Sequence, residues 1–310
     1  FYGVGTNPCI AVFTAGIPHH KDKVCKFINF EDDGYVVAKH IGLVATASAK
    51  DKKQHLLDVW FDRIDAPSKF CVKTTIEPDD EWLHSFYYFN DEIPSEDGFR
   101  NTIADYISFE VNMITHGRGY LFDFDDCYEQ RQLKYDFNVP TPENMEWKAF
   151  ELKKIFKRIK RGKRLTKENQ INGYKPYISS TAMNNGVDNF IDNKENVRCF
   201  KNCLSLANSG SVGACFYHPY GFIASDHVTA LELEQEDKYV YLFIATILKR
   251  FNEKYSFNRE ISDFRIQREK IVLPVDENGE PHWDYMRKYM QKLEVEKISK
   301  ILEHLRSKLV

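Results

Sequence analysis

No apolar run in the 310-residue chain approaches the roughly 18 residues that a membrane-spanning helix needs, so no membrane partner is expected. No signal peptide is present at Phe1-Tyr2-Gly3, and the missing initiator Met predicts a piece of a longer chain. Seven cysteines occur, none in a Cys-x-x-Cys pair, which favours a reducing cytoplasm over a secreted disulfide scaffold.

The common catalytic motifs are also missing. None of the 11 prolines is followed by another proline, so the Pro-Pro-aromatic loop with which amino-methyltransferases hold a flipped base is absent. The chain has no Gly-x-Ser-x-Gly, Walker A or His-Glu-x-x-His pattern. The sequence Phe1-Tyr2-Gly3-Val4-Gly5 fits a loose S-adenosylmethionine loop, but no strand can precede residue 1. We therefore predict no catalytic residue and no cofactor-binding residue in this chain.

The cysteines and histidines of the second half do not form a recognisable zinc motif. Five thiols and imidazoles lie in the second half of the chain, but their spacing fits no standard structural zinc site. They are Cys199, Cys203, Cys215, His218 and His227. No metal ligand is predicted.

The composition supports a folded protein of two domains. Hydrophobic residues make up 43% and aromatic residues 14%, which is ample for a packed core. The segment 138–146 contains Pro140 and Pro142 and no apolar periodicity, so it is a candidate linker. Mixed strand and helix patterns on both sides predict an α/β fold.

The net charge of −3 hides two oppositely charged segments. Residues 77–129 hold 14 acidic residues against Arg100 and Arg118, a balance of −12. Residues 148–175 hold 11 basic residues against Glu151 and Glu168, a balance of +9. Affinity for phosphate depends on local cation density, so the second segment favours nucleic acid. The alternative is a solvated basic face.

Periodicity predicts several elements of the first region. Residues 9–14 read as a short buried strand and residues 26–30 as another. Residues 51–63 read as a helix with an apolar face, and acidic residues before 82–86 suit the N-terminus of another.

In the second region, residues 147–159 read as one short amphipathic element that leads into a basic turn. Residues 239–250 predict a helix, and 271–273 a strand that ends at Pro274. Residues 281–309 predict a long helix with apolar positions at three- and four-residue steps. Its length favours a partner helix, although packing along its own domain is the alternative.

Three polar stretches suggest a binding surface. Residues 173–187 combine Asn, Ser, Thr and Tyr with a tight Asn-Asn-Gly turn, and such side chains contact base edges and phosphates. Residues 209–213 form a glycine loop whose backbone amides could face phosphate. Residues 259–266 place two arginines six apart beside a strand. Each could also be an ordinary polar loop.

The second region resembles the target recognition domain of type I restriction–modification specificity subunits. The matching elements are Trp147…Phe150-x-Leu152…Ile155-Phe156…Arg161-Gly162, Gly173-x-x-Pro176-Tyr177-Ile178-Ser179-Ser180-Thr181, and Asn185-Gly186-Val187. The resemblance covers about residues 145–310. It implies an α/β domain that reads a half-site, followed by a spacer helix that pairs with another such helix.

The first region resembles the end of an N6-adenine DNA methyltransferase domain. The similar stretches are 1–19 and 30–35. In that family this part follows both the cofactor loop and the Asn-Pro-Pro-Tyr loop. The resemblance therefore implies S-adenosylmethionine as cofactor of a longer protein and none in this chain. The implied division is 1–138, methyltransferase C-terminal region; 146–280, DNA recognition domain; and 281–310, spacer and dimerisation helix.

On this interpretation the chain recognises DNA within an adenine methyltransferase system. Its expected partners are double-stranded DNA, a second copy or a second recognition subunit through the Trp283–Leu309 helix, and a restriction subunit. The residues predicted to anchor phosphates are Lys157, Arg158, Lys160, Arg161, Lys163 and Arg164. The residues predicted to contact bases or nearby phosphates are Ser179, Ser180, Thr181, Asn184, Asn185, Ser211, Tyr217, Arg259 and Arg265.

Two other functions remain open at this point. The chain could be a nucleic-acid-binding module without a methyltransferase, in which case a preference for single strands is expected. It could also be a structural dimerisation protein whose basic segment serves solubility.

Overall fold

The chain forms two compact units, Phe1–Asn90 and Asp91–Val310. The structure is a computed structural model that describes residues 8–122, 138–256 and 258–309. No helix in these ranges is long and apolar enough to cross a membrane.

The first unit contains two small sheets and two helices. Its elements are β1 (Cys25–Ile28), β2 (Tyr35–Ala38), β3 (Gly42–Ala45), α1 (Ala49–Trp60), β4 (Cys71–Thr74) and α2 (His84–Tyr87). Strand β1 pairs antiparallel with β4, and β2 with β3. The predicted strand at 26–30 and helix at 51–63 are confirmed, with bounds shifted by one to three residues at each end.

The strand predicted at residues 9–14 is wrong. This segment is irregular, and the side chains of Ile10, Val12 and Phe13 are exposed. No strand in the described part of the chain pairs with it, and an extended segment without a pairing partner cannot satisfy its backbone groups in a sheet. Its apolar residues therefore have no sheet to pack on.

The second unit contains most of the sheet structure and three long helices. Its helices are α3 (Glu96–Met113), α4 (Leu152–Ile155), α5 (Lys238–Leu248), α6 (Asp263–Ile266) and α7 (Trp283–Leu309). Its strands are β5 (Trp147–Glu151), β6 (Phe156–Arg161), β7 (Asn172–Ile178), β8 (Val187–Ile191), β9 (Cys199–Phe200), β10 (Cys203–Ala207), β11 (Cys215–His218), β12 (Phe222–Ala224), β13 (Val228–Leu233) and β14 (Lys270–Pro274).

Two four-stranded sheets form the body of this unit. The first has the order β11-β10-β13-β6 and is antiparallel throughout. The second has the order β8-β7-β12-β9, in which β12 and β7 run parallel. Strand β5 pairs with β14 in a separate ribbon. The predicted α/β class is confirmed.

Helices α3, α5 and α7 pack on one another, and α5 also packs on β10 and β11. Helix α5 is almost wholly buried because Val240 to Leu248 supply a continuous apolar surface. Its N-terminus is capped by Asp237, whose Oδ1 accepts hydrogen bonds from the amides of Tyr239 (2.9 Å) and Val240 (3.0 Å). The predicted helices at 239–250 and 281–309 and the strand at 271–273 are confirmed.

The single amphipathic element predicted at 147–159 is wrong. The segment consists of β5, the one-turn helix α4 and β6. Phe150 pairs with Ile271 of β14, while Leu152 and Ile155 turn inward and are buried. Apolar residues at mixed spacings of two to four fit both the helical and the strand period. Pairing with β14 and β13 stabilises the strand conformation here.

Helix α3 moves the division of the chain. Its apolar residues, among them Phe99, Ile103 and Tyr106, form a stripe that packs on α5 and α7, so the second unit begins at Asp91 rather than after 138–146. The acidic segment is consequently divided: residues 77–81 lie in the first unit, and residues 91–110 lie in the second unit, which also contains the basic strand β6. Its last acidic residues, 123–129, lie outside the described residues.

Candidate nucleic-acid interface

Four loops of the second unit converge at one place. They are 179–186, 208–213, 225–227 and 259–263, and together we name them the loop cluster. The amide of Ser211 donates to the carbonyl of Ser180 (3.0 Å), which joins the first two loops. Three of these loops are the polar stretches that the sequence singled out, and the structure brings them together.

Asn208 ties the remaining loops together. Its amide donates to the carbonyl of His227 (2.8 Å), and its carbonyl accepts from the amide of Ile261 (3.0 Å). Its side-chain Oδ1 accepts from the hydroxyl of Thr229 (3.0 Å), and the residue is fully buried. Because the backbone N–H and C=O of this buried residue are both hydrogen-bonded to other loops, Asn208 fixes the relative positions of the loops at their bases. Sequence analysis missed Asn208, since nothing in the local sequence marks it.

The first loop presents its tip to solvent through an unusual backbone. Asn184, Asn185 and Gly186 all have positive φ (48°, 50° and 78°), which confirms the tight turn. Asparagine and glycine tolerate this left-handed conformation better than other residues. Asn184 and Met183 are exposed at the tip, whereas Asn185 is buried beneath it. Burial of Asn185 contradicts its predicted base contact, and the contact of the exposed Asn184 stays a prediction.

The second loop does not present its amides as predicted. The amide of Ser211 donates to Ser180, and that of Gly213 to the carbonyl of Ala207 (3.0 Å). Amides used inside the protein cannot cradle a phosphate, so these two amides are removed from the predicted phosphate contact, and the contact stays a prediction for the rest of the loop. Gly210 and Gly213 have positive φ and serve the turn between β10 and β11.

Arg161 holds the loop cluster rather than facing solvent. Its Nη2 donates to the carbonyl of Ile261 (2.9 Å), its Nη1 to that of Asp226 (3.3 Å), and its Nε pairs with Asp263 (2.8 Å). With its donors occupied by two loops of the cluster, it is a positioning residue. The prediction that Arg161 anchors a phosphate is corrected on this ground.

The other basic residues of β6 and its C-terminal turn divide by pairing. Lys157 pairs with Glu236 (3.1 Å) and Arg158 with Glu232 (3.1 Å). The hydrogen bond from Lys157 lowers the pKa of Glu236. These two cations are neutralised locally, and that weakens the prediction that they anchor phosphates.

Three exposed basic residues of this segment have no carboxylate partner among the described residues. Lys163 hydrogen-bonds to Asn196 Oδ1 (3.1 Å), so its charge is not neutralised. In the described ranges, Lys160 and Arg164 are exposed and have no carboxylate within 4.0 Å. Lys160, Lys163 and Arg164 therefore carry the available positive charge.

Other predicted residues occupy varied positions. Tyr217 is 4% exposed, stacks on Tyr241 (5.3 Å between ring centroids) and donates to Asn202 Oδ1 (2.6 Å), so its predicted base contact is wrong. Arg259 lies over the ring of Tyr255 (4.8 Å), and Arg265 donates to the carbonyl of Glu260 (2.7 Å). Both arginines thus help to shape the fourth loop.

The hydroxyl residues of the first two loops that were predicted to contact DNA are half-buried. The Thr181 hydroxyl accepts from the amide of Met183 (3.1 Å), and the Ser179 amide donates to the carbonyl of Gly186 (2.9 Å). Ser179, Ser180 and Ser211 line the junction of the two loops. Their contact with nucleic acid stays a prediction.

A serine–histidine pair was missed at this junction. Ser209 Oγ lies 2.6 Å from Nδ1 of His227, whose side chain is exposed. The two residues are 18 apart in sequence, so only the fold brings them together. His227 supplies the third loop with an exposed hydrogen-bonding ring.

Metal ligation has no support in the described part of the chain. No group of three or more His, Cys, Asp or Glu side chains there could hold an ion. Burial raises the pKa of the Cys215 thiol to about 12 and lowers the pKa of His218 to about 3. His218 instead hydrogen-bonds Ser205 (2.8 Å) and Tyr220 (3.1 Å) in the core. The motif at residues 1–5 lies outside the described residues.

Two curated proteins of Heyndrickxia coagulans are similar to this chain. One is the type II restriction enzyme and methyltransferase RM.BcgI, 54% identical over 123 residues, which are 40% of this chain and 19% of that protein. The other is the specificity subunit S.BcgI, 29% identical over 204 residues, 64% of this chain and 57% of that protein. The chain thus spans about a fifth of the length of RM.BcgI and somewhat over half of the length of S.BcgI.

Two solved structures align loosely. The S subunit of a type I system from M. genitalium is 18% identical with a TM-score of 0.38, covering 68% of this chain and 54% of that one. The HsdS subunit of Thermoanaerobacter tengcongensis is 13% identical with a TM-score of 0.38, covering 70% and 55%. The family described as type I restriction modification DNA specificity domain matches residues 144–305, more than half of the chain and most of the second unit. The chain belongs to this family of restriction–modification DNA specificity domains.

Proposed function

We propose that the second unit reads one half-site of a DNA duplex for an adenine-N6 methyltransferase. The observation that carries the proposal is the loop cluster: four separate loops meet, are tied by hydrogen bonds at their bases, and present exposed polar tips. Sequence-specific contacts need several side chains held in one register against base edges. Asn208 and Arg161 fix the lower ends of the loops, and they would in this way supply that register.

Phosphate contacts in this proposal come from Lys160, Lys163 and Arg164. These residues lie at and just after the end of β6, whose Arg161 anchors two loops of the cluster. Exposed cations without a carboxylate partner release counterions from DNA without first breaking an ion pair. A duplex whose bases meet the loops would therefore meet these cations along its backbone.

The catalytic step belongs to a longer protein in this proposal. S-adenosylmethionine would bind outside the described residues, and no described residue is assigned to it. Support comes from the resemblance of residues 1–19 and 30–35 to the end of an adenine methyltransferase and from the similarity to RM.BcgI, a restriction enzyme and methyltransferase. The protein would act in the cytoplasm, together with a restriction subunit.

A second copy or second recognition subunit would pair through α7. The first part of this helix is buried in its own unit, whereas Ile301, Leu302 and Leu305 are exposed. Spacings of one, three and four residues put these side chains on one side of a helix, as in helix–helix contacts. Two half-sites could then be bound together.

The test is sequencing of modified bases in a host that carries the complete gene. We expect N6-methyladenine at a single motif. The double variant Met183→Gly with Asn184→Ser, at the loop tip, should change or abolish this motif. The control replaces the exposed pair Glu277-Asn278 in a distant turn, which should leave the motif unchanged. Absence of methylation in the host contradicts the methyltransferase assignment, and binding to single strands alone contradicts half-site recognition.

A further inference from the structure

A small cavity lies beside the loop cluster on β6 and β13. Its volume is about 120 Å³, and its polar lining includes Lys160, Arg161, Arg198, Asp263 and Gln267. Small-molecule sites usually measure about 300–1,000 Å³, so neither a nucleoside nor a cofactor would fit. The occupant must be a single small group.

The cavity carries an excess of positive charge. Three cations line it against one carboxylate, and Asp263 is already paired with Nε of Arg161 at 2.8 Å. Lys160 and Arg198 have no carboxylate within 4.0 Å in the parts of the chain described. Two cations that share a small cavity repel each other unless an anion enters. The charge balance therefore selects an anionic occupant.

Arg198 is held ready for such an occupant. Its Nη1 donates to the carbonyls of Arg161 (2.6 Å) and Gly162 (3.4 Å), which fixes the plane of the guanidinium. A fixed guanidinium fork matches the oxygens of phosphate and loses little entropy on binding. Lys160 also lines the cavity and is exposed, and its flexible stem would let the ammonium group reach the same oxygens.

The position of the cavity identifies the source of the anion. Its wall residue Arg161 donates to the carbonyls of Asp226 and Ile261, which belong to two loops of the cluster. A DNA strand whose bases face those loops would place its backbone next to this wall. Binding of a free anion would not depend on proximity to these loops, so this position favours a DNA phosphate as the occupant.

We propose that the cavity binds one phosphate of the DNA backbone, with Lys160 and Arg198 as donors and Arg161 as a fixed wall. The inference rests on the proposed recognition of DNA and adds a specific phosphate position to it. Arg198 was not among the residues that the sequence pointed to, because it lies 37 residues after Arg161 in a short loop before β9.

The test measures duplex binding of the full chain as a function of salt, with a mixed-sequence duplex as probe. Lys160→Gln and Arg198→Gln should each weaken binding about tenfold and lower the slope of log K against log salt by about 0.9, the value for one phosphate. Because both side chains hold the same phosphate, the double variant should reduce the magnitude of this negative slope by about 0.9 in total, the same as each single variant.

Lys297→Gln is the matched control. Lys297 is an exposed lysine of α7 in the same unit, and the substitution makes the same charge change far along the chain from the cavity residues. It should leave the slope unchanged. Since Arg198 also braces a turn, Lys160→Gln alone decides the outcome if Arg198→Gln does not fold.

The outcomes separate the two proposals. A chain that binds no duplex overturns the proposed function itself. A chain that binds duplex with the same slope in Lys160→Gln and Lys297→Gln overturns only the phosphate cavity. Inorganic phosphate, compared with chloride at equal ionic strength, should compete with duplex for the original chain and not for Lys160→Gln; equal competition in both overturns the cavity as well.

Discussion

Lys238 Nζ lies 2.6 Å from Oε1 of Glu294, and this carboxylate, on α7, is 2% exposed. The hydroxyl of Tyr239 donates to its other oxygen at 2.7 Å. Both partners lie in the first turn of α5, so the pair fixes the angle at which α7 leaves the core. Lys238→Met should destabilise the chain by about 3–5 kcal/mol, because it removes the ammonium group that is paired with a buried carboxylate.

The control for this pair is Lys288→Met. Lys288 pairs with Asp284 on the same helix at 2.7 Å, but both side chains are about half exposed. An exposed pair contributes about 0–1 kcal/mol. Urea denaturation of both variants measures the difference, and equal losses would contradict the importance of burial.

Two glycines of the second unit should respond oppositely to alanine. A Cβ on Gly162 would lie 2.1 Å from the carbonyl oxygen of Ser225 and 2.3 Å from that of Ala224, whereas a Cβ on Gly221 meets nothing within 4 Å. Backbone atoms cannot move aside cheaply. Gly162→Ala should cost about 1–3 kcal/mol or more, and Gly221→Ala less than about 0.5 kcal/mol, in thermal unfolding.

Arg161 and Arg164 should separate stability from binding. Arg161→Ala leaves the carbonyls of Asp226 and Ile261 without their donor and should lower the free energy of unfolding by about 1–3 kcal/mol. Arg164→Ala removes an exposed side chain and should leave unfolding unchanged while it lowers the salt slope of DNA binding by about 1. Unfolding curves and salt titrations of the two variants check this. If Arg161→Ala were as stable as the original chain but had a reduced salt slope, Arg161 would be a phosphate contact after all.

The buried imidazole of His218 predicts an acid-labile core. Burial lowers its pKa to about 3 in the folded chain, from an ordinary value of 6.5. Below pH 6.5 the unfolded chain binds a proton that the folded chain does not, so stability falls with falling pH until about pH 3. Between about pH 7 and pH 5 this group alone should remove about 2 kcal/mol.

A non-titrating variant isolates this contribution. His218→Gln loses hydrogen bonds to Ser205 and Tyr220 and should be less stable at about pH 7. Its stability should nevertheless fall less as the pH is lowered to about 5. Parallel pH profiles for the two proteins in urea denaturation would contradict the assignment.

The exposed end of α7 should control self-association. Ile301→Gln with Leu302→Gln and Leu305→Gln removes the apolar patch outside the core and should shift the chain to monomer in sedimentation, while the chain keeps a cooperative thermal unfolding transition. The control Lys297→Gln with Lys300→Gln changes exposed polar positions of the same helix. A chain that is monomeric before substitution contradicts pairing through this end.

Sequence patterns predicted the strongly periodic elements well. Helices α1, α5 and α7 and strand β14 were found because one period dominates each. Residues 147–159 failed because their spacing suits two periods, and only β14 and β13 choose between them. Helix α3 was open to prediction, since Ser95 caps it and Phe99, Ile103 and Tyr106 follow at helical steps, but the acidic residues drew the interpretation to charge.

The candidate site was predictable in its loops and not in its pairings. The Asn-Asn-Gly turn is marked by its residues, and the three stretches that the sequence singled out come together in the fold. Whether a basic residue is available depends on partners remote in sequence: Glu236 for Lys157, Glu232 for Arg158, Asp263 for Arg161. A local count of charge therefore overestimates the cations that can meet DNA.

The central position of Asn208 bears on how such a domain can acquire a new target. Because one buried residue joins the backbones at His227 and Ile261, a substitution at the base of either loop disturbs the other. We expect substitutions to be tolerated best at exposed tips such as Met183 and Asn184. Larger changes of specificity would require exchange of the loops as a block, which makes the whole unit, rather than the single residue, the element that evolution and engineering can exchange.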